Sequence, residues 1–230
     1  MIPIRDTAPC YSKPLVTWGI MAVCIAVFVV MQLLPDALSL RLINLYGMVP
    51  VRYTNPHYGL PFDGYLSFLT SLFLHGNWLH LIMNMWFLWI FGDNVEDRMG
   101  RLPFLMFYLI CGLLATFLQW IFDPNLAIPV VGASGAIAGI LAAYFFLYPL
   151  ERVVVWIPIL FLPIVIHVPA IAFLGLWVMV QLHSATTSVL FDDVAAADVA
   201  WWAHLGGFIA GSILYRLFLR EQPTEKNDSF

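Results

Sequence analysis

Charged residues are scarce in this chain: 10 Lys or Arg and 14 Asp or Glu among 230 positions, 10% of the total, against roughly 25% in an ordinary soluble domain. So little charge cannot clothe a water-facing surface of this size. The balance is acidic, with a net charge of −4, which excludes a basic face for nucleic acid. Cysteine is sparse as well. Cys10, Cys24 and Cys111 are odd in number and two of them fall in apolar segments. No disulfide framework follows, and the buried pair reads as small hydrophobes. Nothing in the chain calls for a cofactor.

What the chain has in abundance is apolar sequence. Hydrophobic residues make up 62% and mean hydropathy is +0.87, so the class is an all-α membrane protein. The first apolar run, Leu15–Leu34, is too long for a signal-peptide core and ends in Leu33-Leu34-Pro35 without a small-residue cleavage site. It reads as a retained span. Five more follow, at about Asn77–Phe91, Leu102–Phe122, Ser134–Tyr148, Val168–His183 and Trp201–Leu219. An amphipathic approach, Tyr65–Leu74, precedes the second. The link Pro35–Gly64 is long enough to need structure of its own. Val153–Ile166 is apolar but holds Pro158 and Pro163. Proline strips a backbone donor and breaks helices, so this stretch is expected to be interfacial or re-entrant, with a kinked extra span as the alternative.

Six spans place Arg5, Lys13, Arg98, Arg101, Arg152, Arg216, Arg220 and Lys226 on one side and only Arg41 and Arg52 on the other. By the positive-inside bias, both termini lie in the cytoplasm. The link Ser184–Ala200, with Asp192, Asp193 and Asp198 and no basic residue, faces outward. Ser134 opens the fourth span and His204 lies near the start of the sixth, so both sit about a turn below the outer surface.

Polar groups inside hydrocarbon-length segments are functional candidates. Ser134 lies in Gly132-Ala133-Ser134-Gly135, and His204 in Ala203-His204-Leu205-Gly206-Gly207. A serine becomes a nucleophile when a base within hydrogen-bond reach takes its proton, and histidine titrates in the useful range. His204, Gly207 and Gly211 share a helical face, as do Ser134, Ala138 and Ala142, while Gly135 and Gly139 form a further small pair. Such faces allow backbones to touch. The alternative is glycine-mediated packing with the serine bonded to its own helix. A second cluster, His75 to Asn84, puts His80 and Asn84 four apart on one face, with Asn77 three before His80. Amide and imidazole N–H groups there can meet an oxyanion, and the Ser134 backbone N–H joins them if that residue begins a helix. A metal site is one alternative, but His75 and His80 are five apart and no carboxylate or cysteine completes a set. Interhelical bonding that only holds the bundle is the other. His57, His167 and His183 lack convergent partners and read as structural. Trp86, Trp89, Trp201 and Trp202 fit interfacial belts or lipid-facing packing.

At these residues the chain resembles the rhomboid family of intramembrane serine proteases. His75–Asn84 is similar to the family's His-x-x-x-x-His-x-x-x-Asn segment, Gly132–Gly135 to its Gly-x-Ser-Gly motif, and Ala203–Gly211 to its Ala-His-x-Gly-Gly-x-x-x-Gly block. The resemblance implies a six-span core over 15–220, with cytoplasmic tails at 1–14 and 221–230 and a structured outer loop between the first two spans. It implies Ser134 as nucleophile, His204 as general base and later acid, and Asn84, His80 and the Ser134 N–H as oxyanion donors. Gly132, Gly135, Gly139, Gly207 and Gly211 would pack around the site. The substrates implied are single-span membrane proteins, and the partners are membrane lipids, with no metal and no nucleic acid. The expected location is a bacterial inner membrane, with the site opening outward. A proteolytically inactive relative that binds membrane clients for quality control is the competing reading, although such relatives lose Ser or His and this chain keeps both. A transporter would need paired broken helices in matching halves, which are not seen. Two positions depart from the family. Leu66-Ser67 stands where some members have Trp-Arg. Ala138 stands where some place an aromatic ring against the histidine, so another group must restrain His204. Glu96, in the segment after the second span, sits where members often have an acidic loop anchor; a solvated Glu96–Arg98 pair is the alternative.

Overall fold

The computed structural model describes residues 2–59, 64–159, 162–191 and 200–220. The apolar runs become helices: α1 Leu15–Leu33, α5 Trp78–Met99, α6 Arg101–Phe122, α7 Ser134–Leu147, α8 Ala170–Phe191 and α9 Trp201–Phe218. Among the described residues, three are long and apolar enough to cross a membrane: α1, α6 and the Ala170–Thr187 part of α8. The protein is a helical membrane bundle.

Two helices run past their expected ends. α5 continues eight residues beyond Phe91, and α8 continues from His183 to Phe191, so the expected Ser184–Ala200 link is partly helix. Asp192, Asp193 and Asp198 lie outside the described residues, as does 221–230 with Lys226. The charged tail of α5, Asp93 to Arg98, hid its helicity because hydropathy drops there while helix propensity does not.

The link after α1 has the structure its length demanded. It holds α2 Asp36–Tyr46 and α3 Val51–Thr54, then a 3₁₀ turn at Pro56–Tyr58. The approach to α5 is α4 Ser67–Thr70 followed by a second 3₁₀ turn, Ser71–Phe73. Leu66 is exposed while Ser67 is fully buried, with its hydroxyl against the Tyr53 hydroxyl. Tyr53 stacks on Tyr65 at 5.5 Å and meets Phe68 edge-on at 5.1 Å. The Leu66-Ser67 departure therefore coincides with an aromatic seat for this loop.

The proline-bearing stretch is a β-hairpin. Strands β2 Arg152–Ile159 and β3 Leu162–Pro169 pair antiparallel, and residues 2–6, expected in a tail, add β1 Ile2–Asp6 along the free side of β2. Pro158 faces Pro163 across the hairpin. A hairpin satisfies apolar backbone without the donors that proline removes, where a re-entrant helix could not. β1 is tied to the bundle by the Trp86 indole N–H, which donates to the Pro3 carbonyl at 2.6 Å, and by the Tyr144 hydroxyl, which donates to Asp6 at 2.5 Å. Trp86 thus has a polar partner within the chain while its side chain stays largely exposed.

One residue, Gly100, joins α5 to α6. Its φ of +83° is left-handed backbone, suited to glycine, and the Arg220 guanidinium lies against it. The Arg220 N–H donates to the Arg98 carbonyl at 3.0 Å, so Arg98, Arg101 and Arg220 meet at this end of the bundle. Glu96 is buried here, not solvated. Its carboxylate accepts from the Val16 and Thr17 N–H groups at 3.0 and 2.8 Å and from the Thr17 hydroxyl at 2.8 Å. It therefore caps α1, whose own N-cap is Pro14 and supplies no side-chain bond. Replacing Glu96 by Ala leaves those first-turn donors unpaired in the interior. We expect a loss of about 2 kcal/mol in stability, read as a lowered unfolding temperature in detergent, with Glu96→Gln intermediate; an unchanged midpoint in both variants would remove the cap from the account.

Candidate active site

The site forms where α7 begins. α7 and α9 are in backbone contact there because glycines and alanines line the seam between them. A Cβ added at Gly207 would lie 1.9 Å from the Gly135 carbonyl oxygen, and one at Gly211 would lie 2.3 Å from that of Gly139. Gly135 in turn sits 3.5 Å, by the same measure, from the Ala203 carbonyl. Ser134 and His204 are the chain neighbours of Gly135 and Ala203, which lie in this contact. α6 closes the third side: a Cβ on Gly139 would strike Cys111 at 2.6 Å, and one on Gly135 would strike Ala115 at 2.6 Å.

Gly132 forms the turn into α7. Its φ is +129°, a conformation that L residues other than glycine rarely adopt. A Cβ there would meet His80 Nε2 at 2.6 Å and Asn84 Nδ2 at 3.6 Å. His80 and Asn84 on α5 therefore converge on the backbone two residues before Ser134. Asn84 is buried, and its Nδ2 has no partner among the described residues. Buried donors are rarely left unpaired without a reason. Ser134 is the first residue of α7, so its N–H belongs to the open donors of a helix N-terminus, where partial positive charge gathers. Asn77 acts differently from its two neighbours: its side chain accepts from the His80 N–H at 2.8 Å and caps α5.

His75 corrects the argument from spacing. It precedes α5 instead of lying on it, so its ring reaches the His80 ring, with centroids 5.2 Å apart. It is buried, and both ring nitrogens lack partners. Among the described residues no three His, Cys, Asp or Glu groups gather as a metal site.

The expected bond between Ser134 and His204 is not formed. Among the described residues Ser134 Oγ has no hydrogen-bond partner. His204 Nδ1 is instead 2.6 Å from Gln181 Oε1 on α8. Trp177, one turn earlier on α8, and Trp201 each lie 6.0 Å from the His204 ring, the latter edge-on. Gln119 of α6 accepts from the Ala203 N–H at 3.1 Å and so caps α9. Sequence reading passed over Gln119 and Gln181, although both are polar residues inside apolar spans, the same signal that picked out Ser134 and His204. Trp201 faces His204, and Trp202 stacks on Phe122 at 4.3 Å; neither is simply a lipid-facing belt residue.

The family model for the rhomboid domain matches residues 63–221, a span that takes in all three motif blocks. The chain belongs to the rhomboid family. Similar rhomboid proteins include rhomboid-like protein 11, chloroplastic, of Arabidopsis thaliana, 41% identical over 35% of this chain and 29% of that protein. Presenilin-associated rhomboid-like protein A, mitochondrial, of Danio rerio is 31% identical over 64% of this chain and 36% of its own length. Rhomboid protein 1, mitochondrial, of Saccharomyces cerevisiae is 28% identical over 67% and 42%. The chain spans less than half the length of these curated relatives. Their names are organellar and lend no support to the bacterial inner membrane expected above.

The glycine contacts separate two kinds of position in this rhomboid. Gly207→Ala drives a methyl into a backbone carbonyl that cannot swing away, and should cost about 3 kcal/mol. Gly19 in α1 and Gly175 in α8 have nothing within 4 Å, so Ala there should be neutral or stabilise by up to about 1 kcal/mol. Unfolding midpoints of the three variants check this, and equal midpoints would disprove the close approach of α7 and α9.

Proposed function

We propose that this rhomboid is a serine endopeptidase that cuts membrane-protein substrates within the bilayer. The observation that carries the reading is the unpaired Asn84 Nδ2, buried beside Gly132 and His80 at the point where Ser134 opens α7. Such a donor awaits an oxygen, and acyl transfer creates one. Ser134 Oγ attacks the scissile carbonyl and its proton passes to His204. The oxyanion is met by Asn84 Nδ2, a His80 ring N–H and the Ser134 N–H. The leaving amine takes the proton back from His204, and water admitted to the site hydrolyses the acyl-enzyme. Catalytic hydrogen bonds are often long before substrate binds, which accommodates the open Ser134–His204 pair. In this reading the bundle spans the membrane six times, both termini are cytoplasmic, and the site opens to the opposite side. Its substrates are single-span proteins whose helix unwinds near the surface.

A second reading has its own support. The relatives are named rhomboid or rhomboid-like and not protease, and no bond joins Ser134 to His204. These findings sit closer to a rhomboid that binds membrane clients without cutting them. The two readings part on the reactivity of the serine. We expect a fluorophosphonate probe to label Ser134 in detergent-solubilised protein, and labelling to vanish in Ser134→Ala and His204→Ala. Well-folded protein that resists the probe would favour client binding. Asn84→Ala should slow labelling by roughly 10²-fold, and an unchanged rate would remove Asn84 from the oxyanion pocket.

A further inference from the structure

We propose that Gln181 is the positioning residue of the catalytic base: its side-chain oxygen accepts the His204 Nδ1 proton and thereby holds the ring with Nε2 free to take the proton of Ser134. The inference rests on the serine-hydrolase reading above and adds a third member on α8 to a machinery otherwise built from α5, α7 and α9.

A neutral imidazole carries one donor and one acceptor nitrogen. Gln181 Oε1, 2.6 Å from Nδ1, can only accept, so it selects the tautomer with the proton on Nδ1. Nε2 is then the basic nitrogen. When Nε2 gains the serine proton, the Nδ1–H to Oε1 bond becomes a bond from a cation, about twice as strong as a neutral one. The same contact therefore orients the base and favours the charged state through which the reaction passes. A base oriented by a third group is the general design of activated nucleophiles.

The surroundings fit this role. Gln181 is 5% exposed, so water does not compete for Oε1 on equal terms. Trp177 and Gln181 are four apart on α8 and both address His204, one by its ring at 6.0 Å and the other by its amide. Restraint from α7 is missing: the residue one turn after Ser134 is Ala138, buried at the α7–α9 contact with its Cβ 3.2 Å from where a Gly207 Cβ would stand. No ring fits there. The cap on α9 comes from Gln119, not Gln181, so the α9 N-terminus does not depend on Gln181 for its backbone partner.

The experiment measures the rate constant and the reversible affinity of fluorophosphonate inactivation separately, together with the unfolding midpoint. In this reaction the Ser134 O–P bond forms, the P–F bond breaks, fluoride leaves and the hydroxyl proton goes to His204 Nε2, so the chemical step reports the base. Gln181→Met keeps length and removes the strong acceptor. We expect its inactivation rate constant to fall about 10- to 100-fold, the worth of one hydrogen bond to a charged group, with affinity unchanged and the midpoint lowered, since the Nδ1 donor loses its partner. Gln181→Glu retains an acceptor oxygen at the same reach and should restore the rate. Should Gln181→Met not fold, Gln181→Asn takes its place, its carbonyl stopping one methylene short. A wild-type rate in Gln181→Met, or an equal fall in Gln181→Glu, overturns the inference while leaving the hydrolase reading intact. Absence of labelling in the unsubstituted protein removes that reading, and this inference with it.

Discussion

The arrangement depends on one constraint: nothing larger than an alanine methyl stands where α7 meets α9. The Gly135 carbonyl occupies the space that a Gly207 methyl would need, and the Gly139 carbonyl does the same at Gly211. Helices in lipid gain nothing from hiding apolar surface from each other, because the tails are as apolar as leucine. They associate through close packing and the polar contacts that packing permits. The glycine seam supplies the closeness. Ser134 and His204 ride on it, one at the start of α7 and the other three residues before Gly207.

From that seam the remaining elements take their places. α6 lies against both helices through Cys111 and Ala115, and its Gln119 caps α9. α5 brings His80 and Asn84 to the turn before α7, a turn that only glycine makes comfortably and that leaves no room for a Cβ. α8 reaches His204 from the far side with Trp177 and Gln181. At three helix starts the backbone donors are met by side chains: Glu96 for α1 and Gln119 for α9, each from another helix, and Asn77 for α5, from its own N-cap. Low dielectric explains the pattern, since an unpaired donor in hydrocarbon costs several kcal/mol. Asn84 Nδ2 and both His75 ring nitrogens, which lie within one cluster beside the start of α7, are among the buried polar atoms left without a partner among the described residues.

Much of this was readable in advance, and the failures have causes. The six apolar runs all became helices, because length and hydropathy are what lipid selects. Helix ends were misjudged where charge lowered hydropathy, as at Asp93–Arg98, or where a polar patch suggested a loop, as after His183. The hairpin at 152–169 was legible only as something that could not be a plain helix. Its pairing with residues 2–6 joins segments about 150 positions apart, and no local pattern announces that. His75 and His80 stand five apart, a spacing that separates two rings on a helix, but the chain is not helical at His75, so its ring lies beside that of His80.

The amino-acid sequence alone determined the class, the apolar segments and the identity of Ser134, His204, His80 and Asn84 as candidates, because composition and spacing along one helix are local properties. Only the tertiary structure decided that His204 turns its Nδ1 to Gln181, that Glu96 closes the first helix, and that Gly132 faces His80. Each of these joins two helices, and helix crossing is set by which backbones can come near enough to touch, a sum over many contacts that no single stretch of sequence contains.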